Sequence, residues 1–256
     1  MKKLSLATAL IAATVTLVTA NANAYQAEVG GTIAVTDPDH GDTTTGFGVD
    51  GTYYFNPVQT KTGPLNEAAF LNRASNVNGA ISYADNNDTD ITTFGAGVEY
   101  YVPNSDFYLS GQVAHTNIDT KFRDNDKTTY GAEVGYLPIP NLLIAAGIKG
   151  YDDDNTDDVD PTLRAKYVTK IGAYDVNLEA ATSFGDVDYY NIGGDLYLDR
   201  TFSVGAAYSG SNADLIDDDV FTIRAKKFFT EQASVEGSVG FGDDYNTFGV
   251  RGAYRF

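Results

Sequence analysis

Apolar and polar residues alternate with a period of two along most of the chain after residue 24, and this pattern limits the possible folds more than any other feature. Most of the alternating segments are close to the roughly 9–11 residues that a tilted strand needs to cross a bilayer. The 18 Tyr, 14 Phe and 26 Gly suit pleated and tightly curved sheets. An all-β chain of fourteen strands is therefore predicted, at about residues 25–36, 44–56, 75–85, 91–102, 107–117, 128–137, 142–151, 161–169, 173–184, 188–198, 202–210, 220–229, 233–242 and 245–256.

Each segment has one apolar parity and one small, polar or charged parity. In the second segment Phe47, Val49, Tyr53 and Phe55 share the apolar parity, and the other segments follow the same rule. A soluble β-sandwich produces the same alternation with its apolar face turned inward. Alternation alone therefore leaves open whether the apolar face meets lipid or a protein core.

The connections between the segments distinguish the two possibilities. Connections after odd-numbered segments hold 23 of the 35 acidic residues, whereas those after even-numbered segments are mostly short and carry few charges. Alternate connections of an up-and-down barrel emerge at opposite rims, and long outer loops with short periplasmic turns are typical of bacterial outer-membrane barrels. We therefore expect a transmembrane antiparallel up-and-down β-barrel of 14 strands with both termini periplasmic. The acidic connections are 37–42, 85–90, 119–126, 152–160, 186–188, 214–219 and 243–244.

The amino-terminal 24 residues have the features of a secretory signal peptide. Lys2 and Lys3 precede an apolar stretch, and Ala22 and Ala24 fit the cleavage pattern, so residues 1–24 are predicted to be removed and 25–256 to form the barrel. The chain has no Cys and a net charge of −18, which argues against disulfides and against nucleic acid as a partner.

Aromatic residues cluster where segments enter the short connections. This placement predicts an aromatic girdle at the periplasmic membrane interface. The residues are Tyr53, Tyr54, Phe55, Tyr100, Tyr101, Tyr136, Tyr197, Phe228 and Phe229.

Residues 56–76, here called the elbow, break the short-turn rule between segments 2 and 3. A short helix is expected over 66–73 with Asn66 as its cap, placing Leu65, Ala68 and Leu71 against the lower rim of the barrel. The elbow is either a plug or docking element, or a packed structural connection, and the second interpretation is favoured because long loops are only sometimes functional.

Three parts of the chain resemble a known family. The elbow motif GPLNEAAFLNRASNV (63–77), the MKK-initiated signal with a mature start at YQAEV, and the terminal YRF look like the small 14-stranded outer-membrane porins of Acinetobacter-type Gram-negative bacteria. The resemblance implies a passive channel for water, ions and small hydrophilic solutes. It implies no catalytic residue, cofactor or metal.

If the apolar parity faces lipid, the other parity lines the lumen. Its charges then either create a field across a water-filled pore or pair between neighbouring strands, for example Arg164 or Lys166 with Asp175 or Glu179. The acidic outer loops predict a preference for cations at the entrance. The pore-lining candidates are Glu28, Asp50, Glu99, Glu133, Lys149, Arg164, Lys166, Asp175, Glu179, Asp195, Arg224, Lys226, Glu236, Arg251 and Arg255.

Two alternatives to a porin stay open, a closed structural or adhesive barrel and a hydrolase at the outer rim. For the hydrolase, His115 with Asp119 is the one candidate acid–base pair, and no supporting serine pattern accompanies it. The acidic run 152–160 lacks the glycine of an EF-hand loop, and Arg164 falls at its bidentate position, so that motif fails. Loose bridging of the loops to lipopolysaccharide by divalent cations stays open.

The chain ends in GVRGAYRF, which reads as the strand that closes the barrel. Tyr254 and Phe256 are expected to face lipid and to serve as the signal read by the barrel-assembly machinery. Pairing of this strand with segment 1 near Tyr25 removes the sheet edge.

Overall fold

A computed structural model describes residues 24–121, 124–153, 157–185, 188–211 and 219–256; the predicted signal peptide lies almost wholly outside them. The predicted all-β fold is confirmed: fourteen antiparallel strands form one closed barrel in which each strand pairs with its sequence neighbours and β1 pairs with β14. No helix in these ranges is long and apolar enough to cross a membrane. The strands are β1 (Ala24–Pro38), β2 (Thr44–Gln59), β3 (Asn76–Asp85), β4 (Thr89–Tyr101), β5 (Phe107–Thr120), β6 (Asp124–Ile139), β7 (Leu142–Asp153), β8 (Asp157–Ile171), β9 (Tyr174–Ser183), β10 (Tyr189–Asp199), β11 (Phe202–Ser211), β12 (Val220–Phe228), β13 (Ala233–Phe241) and β14 (Tyr245–Arg255).

The seam between the first and last strands is continuous. Its register runs from Glu28 opposite Arg255 to Pro38 opposite Tyr245. Beyond β14, the carbonyl of Phe256 accepts hydrogen bonds from the backbone N–H groups of Gln26 and Ala27 at 2.8 and 2.9 Å. Closure leaves no unpaired edge, which a barrel in lipid requires.

The two faces of the barrel follow the predicted parity. Large apolar side chains such as Ile33, Val134 and Ile192 are 55–61 % exposed on the outside. Such an extensive apolar surface is unusual for a soluble monomer and matches a lipid-facing band. The charged candidates lie on the opposite parity, on the inner face.

Only five of the nine residues predicted for the aromatic girdle face outward, because adjacent aromatic residues point to opposite faces. Tyr53, Phe55 and Phe229 are exposed outside, together with Tyr100 and Tyr136. Tyr54, Tyr197 and Phe228 are at most 8 % exposed and point inward, as does Tyr101, whose N–H is held by Ser75. Tyr54 and Tyr197 contact the elbow, at Ala68 and Glu67, whereas Phe228 packs against Arg255. A period of two requires adjacent aromatic residues to face opposite sides of the wall.

The connections after β1, β3, β5 and β7 are shorter than predicted. Strand pairing continues into the acidic stretches, so β4 begins at Thr89 and β8 at Asp157. Aspartates at these strand ends accept side-chain hydrogen bonds, as when the Tyr83 hydroxyl bonds Asp85 at 3.2 Å and Asp90 at 2.5 Å. We call this end of the barrel the loop end, and the opposite end, with the elbow and the chain termini, the elbow end.

Candidate functional site: the lumen and the elbow

The elbow folds into the mouth of the barrel. After Gln59 the chain leaves β2 and forms a 3-10 turn (Leu65–Glu67) followed by a single-turn helix α1 (Ala68–Leu71). Leu65 and Ala68 are 1 % exposed, and Ala68 packs in a cluster with Tyr25, Tyr54 and Val58. An apolar core therefore fills this end of the lumen.

The predicted capping role of Asn66 is wrong. The turn begins after Pro64, whose extended backbone (φ −64°, ψ 137°) leads into it, and no side chain caps its first N–H groups. Asn66 lies inside the turn, where its amide donates to the Glu67 carboxylate at 3.4 Å. Proline suits this position because its fixed φ matches the entry to a helical turn.

Glu67 connects the elbow to the far wall of the barrel. It is 2 % exposed, and its carboxylate lies 2.8 Å from Lys166 Nζ and accepts a 2.5 Å hydrogen bond from the Tyr197 hydroxyl. Lys166 lies on β8 and Tyr197 on β10, which flank β9, the strand opposite β2 in the ring of fourteen. The elbow thus spans the diameter of the barrel.

Other contacts fix the elbow around the rest of the ring. The Arg255 guanidinium donates to the Leu65 carbonyl at 2.9 Å, and the Leu65 N–H donates to the Arg200 carbonyl at 2.8 Å. Thr60 donates to Glu231 at 2.5 Å, and Arg73 pairs with Asp106 at 2.8 Å. Anchors on β14 and on the turns before β11, β13 and β5 show that the elbow is seated across the mouth, not only along one rim.

Most of the charged candidates on the inner wall occur in ion pairs, either with the adjacent strand or with the next strand but one. Lys166 pairs with Glu179 at 2.8 Å, as the cross-strand alternative predicts, while Asp175 pairs with Lys170 at 3.6 Å. Arg164 lies on Glu133, with Nη2–Oε2 at 2.8 Å, and Lys226 lies 3.4 Å from Glu236. The wall therefore neutralises most of its own charge.

The seam holds a four-residue charge cluster. Arg255, 4 % exposed, donates from Nε to Glu28 at 2.5 Å, and its guanidinium lies between the rings of Tyr25 and Phe228, 4.5 and 4.6 Å from their centroids. Arg251 bridges Glu28 at 3.4 Å and Asp50 at 2.5 Å. These contacts join β14, β1 and β2.

A second cluster lies on β9 to β12. Arg224 makes two 2.8 Å bonds to the carboxylate of Asp195, the bidentate geometry that gives the strongest Arg–carboxylate pairs. Asn177 donates to both Glu179 and Asp195, at 2.8 and 3.3 Å. Gly205 makes room for this arrangement, because a Cβ there would lie 2.1 Å from the Asp195 carboxylate.

The remaining candidates bond to aromatic or amide groups. Glu99 accepts hydrogen bonds from the Tyr108 hydroxyl at 2.7 Å and from Asn76 at 2.8 Å. The Lys149 ammonium lies 5.0 Å from the centroid of the Tyr189 ring. The sequence did not identify Glu67, Tyr197, Tyr108 and Asn177 as residues of this site. Glu67 lies in a connection between strands, and the only signal for the other three was that their parity points inward.

At the loop end, the candidate acid–base pair of His115 with Asp119 is not formed. The His115 ring contacts Thr128 Oγ1 at 3.0 Å and Asn117 Nδ2 at 3.5 Å instead. Nearby, Asp219 accepts hydrogen bonds from the hydroxyls of Tyr190 and Tyr208 at 2.6 and 2.5 Å, and these bonds lower the pKa of its carboxyl. This carboxylate therefore stays charged below the usual titration range of an aspartate.

Comparisons with known proteins agree with this architecture. The sequence model of the family described as "Putative general bacterial porin" matches residues 1–189. The Acinetobacter baumannii outer membrane protein Omp33 is 27 % identical, with a TM-score of 0.73 over 92 % of this chain and 100 % of that one. A TodX monoaromatic hydrocarbon channel mutant (10 % identity, TM-score 0.54, 97 % and 94 % covered) and a bacterial polysaccharide outer membrane secretin (9 %, 0.51, 93 % and 100 %) share the fold alone.

No curated protein sequence matched the chain. The family match covers well over half of the sequence, and Omp33 and this chain align over nearly their whole lengths. The exposed apolar band and the polar interior are those of a membrane channel. The chain therefore belongs to the general bacterial porin family and is an outer-membrane β-barrel of Gram-negative bacteria.

Proposed function

We propose that the protein is a passive diffusion channel for water, ions and small hydrophilic solutes. The observation that carries this proposal is the inner wall of the closed barrel, which is polar while its outer face is apolar. A ring of 14 strands leaves more interior space than an 8-stranded barrel, whose own side chains fill it. Family membership supports a channel rather than an enzyme.

The loop end is proposed to face outward and to favour cations. Removal of residues 1–24 leaves both termini at the elbow end, which then lies on the periplasmic side as in other outer-membrane barrels. The clustered aspartates at the loop end attract counter-ions within a Debye length, about 10 Å at 0.1 M salt. They also suit loose divalent bridging to lipopolysaccharide.

Planar bilayers test the channel and its selectivity together. We expect the purified barrel to conduct KCl, with a reversal potential in a salt gradient that favours K⁺ at low salt. This preference should fade near 1 M salt, where the Debye length falls to about 3 Å. Replacing Asp37, Asp39 and Asp42 with Asn should move the reversal potential toward zero. Anion preference at low salt would contradict the cation proposal alone.

Absence of both conductance and liposome swelling would instead favour the closed structural or adhesive barrel. A rim hydrolase would show turnover lost on His115→Ala. Neither alternative has a contact that favours it over the channel.

The elbow is proposed to limit passage through the periplasmic mouth. Its seat across the barrel diameter supports the plug interpretation over that of a peripheral structural connection. Permeation then requires displacement of the elbow or a path beside it.

The last strand is proposed to be the segment that the barrel-assembly machinery recognises. Tyr254 and Phe256 stack with ring centroids 6.4 Å apart, and the Phe256 backbone pairs with Ala27. Deleting Phe256 is expected to reduce the yield of heat-modifiable barrel several-fold while leaving the conductance of each assembled channel unchanged. Normal yield from the shortened chain would refute this role.

A further inference from the structure

One side of the inner wall differs from the rest. Across β2 to β7, a straight row of cross-strand partners joins Thr52, Asn78, Gly97, Gln112, Gly131 and Lys149. Partners in a row share one face of the sheet. We call these six residues the amide row; its polar side chains border an open cavity of about 440 Å³ in the lumen.

The two glycines let the amide side chains lie against the wall. A Cβ at Gly97 would lie 2.9 Å from the Asn78 amide oxygen, and one at Gly131 would lie 3.3 Å from Gln112 Nε2. The neighbouring inward residues Ala80, Gly95 and Ala114 are also small, so the space above the row is not filled. The amide row therefore forms a shallow polar surface that borders open space in the lumen.

The polar groups of the row are largely uncommitted. Among the residues that the structure describes, no side-chain hydrogen-bond partner occurs for Thr52 or Gln112, and Asn78 uses one amide proton on Asn76 at 3.2 Å. Lys149 contacts the Tyr189 ring. Asp50, which also borders the cavity, is held by Arg251.

Much of the opposite side of the lumen is occupied by ion pairs. Arg164, Lys166 and Arg224 there are committed to Glu133, Glu179 and Asp195, and Lys166 also holds the elbow. Ion pairs of this kind have their donors and acceptors already satisfied. Within the described part of the wall, the amide row joins uncommitted hydrogen-bonding groups in one continuous strip beside the cavity.

We propose that the amide row is a binding site for small, uncharged solutes that carry several hydroxyl or amide groups, such as a polyol or a monosaccharide. Carboxamides both donate and accept, so they can replace the water around such a solute without a charge. The cavity volume lies in the range of small-molecule sites, roughly 300–1,000 Å³. This inference rests on the proposed function, because the solute must enter through an open lumen.

Block of KCl current by xylitol or glucose tests the site. The variant Asn78→Leu/Gln112→Met removes both carboxamides and keeps their approximate size. We expect the concentration of solute that halves the current to rise about tenfold, since each lost hydrogen bond weakens binding by roughly fivefold or less. Swelling of liposomes in xylitol should slow in parallel, and the block of each variant is expressed relative to its own KCl current without solute.

The matched control is Asn191→Leu/Ser209→Ala. These cross-strand partners lie on the inner face of β10 and β11, away from the amide row, so block by xylitol and glucose should not change. If the double amide variant fails to reach the heat-modifiable folded form, Gln112→Met alone carries the test, with an expected shift of about fivefold.

Equal block in the wild type, the amide variant and the control would overturn the proposed site while leaving the channel intact. Wild-type barrels that give neither KCl current nor swelling would overturn the channel itself and the site with it. Loss of block in both variants equally would show that the solute binds no particular wall, which also contradicts the proposal.

Discussion

Replacing Glu67 with alanine is expected to raise the conductance of the channel and its permeability to solutes. Glu67 joins the elbow to β8 and β10 through Lys166 and Tyr197, and it is almost fully buried there. Without it Lys166 keeps its pair with Glu179, but the buried Tyr197 hydroxyl loses its charged acceptor, and a hydrogen bond to a charged group contributes about 1.5–3 kcal/mol. The free energy of detaching the elbow from the far wall should fall by a comparable amount.

A decrease of about 2 kcal/mol raises the population of the detached elbow roughly thirtyfold. Single-channel recordings should show longer or larger openings, and liposome swelling should quicken. The control is Arg73→Ala, since Arg73 lies on the same elbow in a pair with Asp106 that is 36–50 % exposed. Exposed pairs contribute about 0–1 kcal/mol. Folded Glu67→Ala barrels with wild-type conductance and flux would disprove the plug.

Replacing Arg255 with alanine is expected to lower the free energy of unfolding by about 3–5 kcal/mol. Its guanidinium neutralises Glu28, donates to the Leu65 carbonyl and lies between the rings of Tyr25 and Phe228. The substitution leaves the Glu28 carboxylate with one longer contact to Arg251 and leaves a void between two rings. An arginine that lies against aromatic rings is poorly replaced even by lysine, so Arg255→Lys should recover only part of the loss.

Denaturant titration of barrels in detergent micelles, followed by heat-modifiable mobility, measures this effect. Lys170→Ala is the matched control, because its side chain is 71 % exposed and its contact with Asp175 is 3.6 Å long. An unfolding midpoint for Arg255→Ala that matches the control would show that the seam cluster contributes little to stability.

The sequence predicted the barrel well because the fold depends on short-range periodicity. Alternation at Phe47, Val49 and Tyr53 assigns a face without knowledge of any partner strand, and the even number of segments fixes the closure. The same alternation predicts that Tyr54 and Phe228 point inward. Assigning adjacent aromatic residues to one outward-facing girdle did not follow that alternation. The connections after β1, β3, β5 and β7 are shorter than the sequence predicts, because strand pairing continues into their Asp-rich stretches once a hairpin is formed.

The elbow could not be predicted in the same way. Glu67 contacts residues that lie about 100 or more positions later in the chain, and no local pattern marks it among the acidic residues. For the inner wall, parity identified the face of Arg164 and Arg224 but not their partners, which depend on strand register and rotamer. The role of Gly97 and Gly131, which make room for the side chains of Asn78 and Gln112, can be recognised only when the strand register places these residues in one row.

The contact between Arg255 and Leu65 has a consequence for assembly. Arg255 lies on β14, the strand that closes the barrel against β1, so one strand supplies both the seam and an anchor of the elbow. A barrel in which β14 has not yet paired lacks that anchor as well as its closed wall.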